Sequence, residues 1–65
     1  MNSAEVTRKI RGTIRTEKVL VTVGQIVKTA WGTGEIKSIH SIGAGMVTMT
    51  VKTSNNGVVS VQTIR

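Results

Sequence analysis

Cysteine, proline, aspartate, tyrosine and phenylalanine are all missing from this chain, and histidine and tryptophan occur once each, as His40 and Trp31. Without cysteine there is neither a disulfide nor a thiolate metal site. His40 alone cannot build a zinc site, which takes a full tetrahedral set of N or S ligands, so neither a metal nor a cofactor is expected. No apolar run is long enough to span a bilayer, and no apolar segment of signal-peptide type lies near the first residues. The expectation is therefore no membrane span, no secretory signal and a cytoplasmic location. Low-complexity tracts and internal repeats are absent too, so one domain accounts for the 65 residues. A chain of this length buries only about 60% of its unfolded surface, and one such core rarely supplies more than about 3–5 kcal/mol. With disulfide and metal excluded, a homo-oligomeric interface is the staple that remains.

Acidic residues are scarce. Glu5, Glu17 and Glu35 stand against nine lysines and arginines, for a net charge of +6. Residues 1–18 hold Arg8, Lys9, Arg11, Arg15 and Lys18, and the remainder holds Lys28, Lys37, Lys52 and Arg65. Such an excess on so small a body favours polyanionic partners and speeds association with acidic surfaces. The simplest picture is a basic N-terminal arm, 1–18, leading a more neutral body, 19–65. The rival reading is a solvated face that keeps the protein soluble.

Within the first stretch, Val6, Ile10 and Ile14 recur every fourth residue, as on one stripe of a helix. Gly12 and the threonines weigh against a helix, and strand-like alternation holds only from Ile10 to Ile14. A flexible arm that orders on contact, a short helix and a first strand all remain open, with the arm preferred. From Lys18 the character changes. Val19-Leu20-Val21-Thr22-Val23 is rich in β-branched residues and stops at Gly24, as a strand does. Further strands are expected at Gln25 to Ala30, Glu35 to Ile42, Met46 to Thr53 and Val58 to Val61, with Gln62 to Arg65 closing the chain. Gly32-Thr33-Gly34, Gly43-Ala44-Gly45 and Ser54-Asn55-Asn56-Gly57 supply the reversals, the first through two glycines at positive φ and the third through an Asn-Gly pair. Val47, Met49 and Val51 alternate with Thr48, Thr50 and Lys52, which puts the first set inside and the second in solvent. Short antiparallel strands of this kind bury a core by curling on themselves. The fold class is all-β, a small SH3-like barrel of about five strands, preferred over a longer OB-type barrel.

Val23-Gly24, Val27, the Trp31-Gly32-Thr33-Gly34 turn, Ile36, Gly57 and Val61 together form a pattern over about residues 19–65. It resembles the SH3-like, Tudor or KOW-type barrels of bacterial transcription and repair proteins, such as the terminal barrel of repair helicases and the polymerase-binding domain of CarD-type regulators. The resemblance implies binding to nucleic acid or to RNA polymerase without catalysis. The small size and basic arm suit a phage- or plasmid-encoded accessory protein working in the host cytoplasm. Ala30-Trp31 and Ser60-Val61-Gln62 are also similar to the type II dihydrofolate reductases, tetramers whose Val-Gln-Ile-Tyr stretch lines a shared pore. Here Thr63 and Ile64 replace the Ile-Tyr pair and Thr29 stands where a pore lysine is expected, so that resemblance carries over to Gln62 alone.

No catalytic motif is present. The glutamates are isolated from one another, and His40 has no nucleophile or acid at a spacing the sequence specifies. Gly32 to Ser38 lacks the Gly-Lys step of a phosphate-binding loop and leads into a strand, so it reads as a hairpin turn. Trp31 as the lone aromatic argues against sequence-specific RNA recognition, since single-strand binders stack several bases on several aromatics; at the start of a turn it reads as a core plug. Met46 and Met49 read as packing and His40 as a surface strand residue. Thr48, Thr50, Lys52, Thr53 and Ser54 form a polar strand face suited to phosphate contacts. The residues expected to meet a nucleic acid or a polymerase-type partner are Arg8, Lys9, Arg11, Arg15, Lys18, Lys28, Trp31, Lys37 and Lys52. Whether Lys28, Lys37 and Lys52 share a face depends on strand register.

Overall fold

The alternation of β-branched residues and the glycine-bearing reversals produce seven strands and no helix in the computed structural model, which describes residues 1–65. They are β1 (Ser3–Lys9), β2 (Thr16–Thr22), β3 (Ile26–Thr29), β4 (Gly32–Gly43), β5 (Met46–Thr53), β6 (Val58–Val61) and β7 (Thr63–Ile64). Two sheets form, one in the order β2-β1-β7 and one in the order β3-β4-β5-β6. They meet where the Arg65 N–H donates to the Lys28 carbonyl at 2.8 Å, beside β7 and β3. The result is a curled, barrel-like all-β fold whose sheets end on β2 and β6.

Every strand sends at least one side chain into the interior. Val6, Val21, Val27, Ile36, Ile39, Met49, Val51, Val61 and Ile64 make a single apolar cluster. The expected inward set of β5 is found there for Met49 and Val51, with Val47 half-buried at its margin. Ile36 and Ile39 are three apart, a spacing that plain alternation forbids on one face. A β-bulge between Ile36 and Ser38 solves this: Lys37 and Ser38 together oppose Thr50, and the inward phase shifts by one residue. Met46, in contrast, is exposed at the start of β5.

The first eighteen residues are the part of the expected architecture that needs correction. They are no arm: β1 pairs along its whole length with β2, from Ser3 opposite Thr22 to Lys9 opposite Thr16, and in parallel with β7 at Thr7 and Arg8. Ala4 and Val6 face inward with Val19 and Val21. On the same face Arg8 stands opposite Glu17 and bonds it at 2.8 Å where the core gives out to solvent. The fourfold spacing of Val6, Ile10 and Ile14 has no structural counterpart, because Ile14 lies wholly exposed in the β1–β2 turn. The boundary drawn at residue 18 falls inside β2.

The β4–β5 reversal is a two-residue loop, with Gly43 opposite Met46 and both Ala44 (φ 52°) and Gly45 (φ 73°) at positive φ. That is the mirror-image turn that matches strand twist and prefers Asn-Gly. An alanine in the left-handed region costs about 1–2 kcal/mol. Ala44→Asn is therefore expected to raise unfolding free energy by about 0.5–1 kcal/mol, as read from urea denaturation; an unchanged midpoint at unchanged slope contradicts it.

Candidate functional site

Two of the nine cationic side chains are paired, Arg8 with Glu17 at 2.8 Å and Lys37 with Glu35 at 3.2 Å. Lys9, Arg11, Arg15, Lys18, Lys28, Lys52 and Arg65 are exposed and have no carboxylate within salt-bridge reach. Their positions are not uniform.

Lys9, Arg11, Lys28 and Arg65 converge on one open recess of about 580 Å³, completed by Ile10, Gly12 and Thr13. It is built by the hairpin tip and the meeting of the two sheets. The Ile10 N–H donates to the Arg15 carbonyl at 3.0 Å and the Thr13 N–H to the Ile10 carbonyl at 3.2 Å, with Gly12 at φ 78° turning the chain between them. The Thr13 hydroxyl donates to the Ile10 carbonyl and accepts from the Arg15 N–H, each at 3.0 Å. This folded tip holds Lys9 and Arg11 over the junction where Lys28 and Arg65 are joined through their backbones. No acidic side chain lines the recess. Four like charges around one concavity set up a field that concentrates anions.

The other cations expected at the site are dispersed. Arg8 is held by Glu17, and Lys18 lines a small cleft of about 150 Å³ with Glu5, Met46 and Gln62. Arg15 closes the hairpin turn through its backbone. Arg65 is the member that sequence reasoning missed. Its only signal there was charge; its place in the recess comes from the Lys28 contact.

Register answers the question of the shared lysine face. On the outer side of the four-stranded sheet, Ile26, Glu35, Lys52 and Val58 form a row across all four strands, with Lys28 opposite Thr33 beside it. Ser38, Thr50 and Ser60 form a second row, and His40 faces Thr48 beyond them. Lys28, Lys37 and Lys52 do share this face. Glu35 sits among them, bonded to Lys37 and opposite Lys52, so the face is hydroxyl-rich and only weakly positive. His40 is exposed, its Nε2 3.0 Å from the Ser38 hydroxyl.

Thr53 is not on that face. It is buried, as is Thr29, and the two serve neighbouring turns in the same way. The Thr29 hydroxyl donates to the Gly32 carbonyl at 2.8 Å and accepts from the Trp31 N–H at 3.0 Å. The Thr53 hydroxyl donates to the Gly57 carbonyl at 2.7 Å and accepts from the Asn56 N–H at 2.9 Å. The Asn56 side-chain amide then donates to the Trp31 carbonyl, tying the two turns together. These threonines occupy the interior here, and Trp31 is 56% exposed. The expectation of a core plug is corrected: the indole borders an open recess of about 450 Å³ with Asn56, Val59 and Ser60.

No group of three or more His, Cys, Asp or Glu side chains is gathered anywhere in the molecule. No helix is long and apolar enough to cross a membrane. Fold and surface together define a small all-β, barrel-like protein with a basic recess, lined by no acidic side chain, at the junction of its sheets. Comparison with protein-family models, with curated proteins and with solved structures gave no match for the chain.

Proposed function

We propose that this is a small, non-enzymatic nucleic-acid-binding protein of the cytoplasm that grips the phosphate backbone. The observation that carries the reading is the recess of Lys9, Arg11, Lys28 and Arg65. Lysine and arginine side chains with no internal partner offer charge-assisted hydrogen bonds to phosphate oxygens and release counterions from a polyanion. The hydroxyl-bearing outer sheet face, reached through Lys28, supplies the neutral donors that commonly accompany such cations at a backbone. An isolated acidic protein surface needs no such concavity, which favours the polymer over RNA polymerase as the direct partner.

Fluorescence anisotropy with a labelled oligonucleotide between 50 and 200 mM salt tests this. If the four recess cations each displace a counterion, log K falls against log salt with a slope of about −3 to −4 on duplex and somewhat less on single strands. A flat dependence overturns the reading. Pull-down from bacterial lysate with and without nuclease separates the partners: loss of retained proteins after nuclease supports nucleic acid, and a polymerase that survives nuclease moves the function to protein binding.

A further inference from the structure

The basic recess and the Trp31 recess are both lined from one seam of the chain. Two stretches of chain border it, residues 28–31 and 60–65, pinned together by the Arg65 N–H to Lys28 carbonyl bond at 2.8 Å. Each stretch contributes to both recesses. Lys28 and Arg65 line the basic one; Trp31 and Ser60 line the other. Lys28 and Trp31 are three residues apart, so their backbones lie at most about 11 Å from one another, the rise of about three stacked nucleotides.

The Trp31 recess has the components of a site for a planar heterocycle. The chain's sole aromatic presents more than half its surface to solvent, beside the half-buried Val59. Its turn is held by the buried Thr29 hydroxyl and by the Asn56 amide, so the backbone that carries the indole is fixed in advance of any ligand. Asn56 donates through Nδ2 to the Trp31 carbonyl and lines the recess together with Ser60, and neither its Oδ1 nor the Ser60 hydroxyl is engaged in an internal hydrogen bond. A base offers a π-face to the indole and N–H and carbonyl groups on its edge.

We infer that the protein prefers single-stranded nucleic acid, with one unpaired base stacked on Trp31 while the neighbouring phosphates occupy the recess of Lys9, Arg11, Lys28 and Arg65. The inference rests on the proposed nucleic-acid reading and adds the strand state and the site of base contact. A base inside a duplex is covered on both faces by its neighbours and cannot give one to the indole. A single stacking site is sequence-tolerant, in keeping with the absence of a second aromatic.

Because the chain has no tyrosine and no second tryptophan, intrinsic fluorescence reports on Trp31 alone. Titration with an oligothymidylate is expected to quench it, whereas a duplex of equal length binds without comparable quenching. Trp31→Ala is expected to weaken single-strand binding about tenfold or more and leave duplex binding unchanged, with Trp31→Phe staying within about threefold of the parent because its ring still stacks. Circular dichroism melts of both variants check that the fold is kept. Salt-dependent binding that is equal for single strand and duplex, unaffected by Trp31→Ala, overturns the stacking site and leaves the phosphate reading standing. Failure to bind either nucleic acid overturns both.

Discussion

Gly34→Ala is expected to leave the protein largely unfolded at room temperature. Gly34 is buried on β4 opposite Thr53 of β5, and its φ is unremarkable. A Cβ at this position lands on the Lys52 carbonyl oxygen, 2.7 Å from the Lys52 carbonyl carbon and 2.8 Å from the Thr53 Cα. All three are backbone atoms of the central hairpin, and none can rotate away. Overpacking a core costs about 1–3 kcal/mol when side chains can give. Here strands must part, against a total of about 3–5 kcal/mol for a core of this size. Gly12→Ala separates the two uses of glycine: φ is +78° but nothing lies within 4 Å of the added carbon. That substitution is expected to cost about 1–2 kcal/mol. Urea denaturation monitored by circular dichroism reads both. A Gly34→Ala protein no less stable than Gly12→Ala contradicts the close approach of β4 to β5.

Removal of Lys9, Arg11 and Lys28 together, each to alanine, is expected to weaken nucleic-acid binding by about a hundredfold or more at moderate salt and to flatten the salt slope by roughly 2 to 3. The three side chains are exposed and unpaired, so stability should barely change. A second triple variant, Arg15→Ala with Lys18→Ala and Lys37→Ala, removes the same net charge from outside the recess. It is expected to lose much less affinity, because a general reduction of the protein's field is screened within about 8–10 Å at these salt concentrations, while a lost phosphate contact is not recovered. Equal losses from the two triples reduce the recess to net charge and overturn its special role.

Much of the fold could be read from local pattern. Val47, Met49 and Val51 alternate with polar neighbours, and the structure places Met49 and Val51 in the core. Gly43-Ala44-Gly45 reverses the chain through positive φ values, and Gly57 (φ 68°) ends the loop that Asn55 and Asn56 open. The all-β, barrel-like class follows from these signals. Features that depend on distant partners were not readable. β1 offers only Ala4 and Val6 as apolar inward residues, too few to mark a strand until β2 and β7 flank it. Gly34 looks in the sequence like a second turn glycine, and only the nearness of β5 shows that it answers a steric demand. Trp31 looks like core because tryptophan usually is; it stands 56% exposed at a turn whose backbone is held by the buried Thr29 hydroxyl.

The candidate site divides along the same line. That the protein carries a surplus of cations, a single aromatic and no metal-binding cysteine was settled by composition alone. Which cations act together was decided by tertiary structure. Register paired Arg8 with Glu17, bonding set Glu35 beside Lys37, and the meeting of two sheets brought Lys28 and Arg65 under the tip that carries Lys9 and Arg11. Alternation and turn chemistry act between residues a few positions apart and are written into the chain. Convergence of charge is a property of register and sheet closure, which join residues as far apart as Lys9 and Arg65 and exist only once the chain has folded.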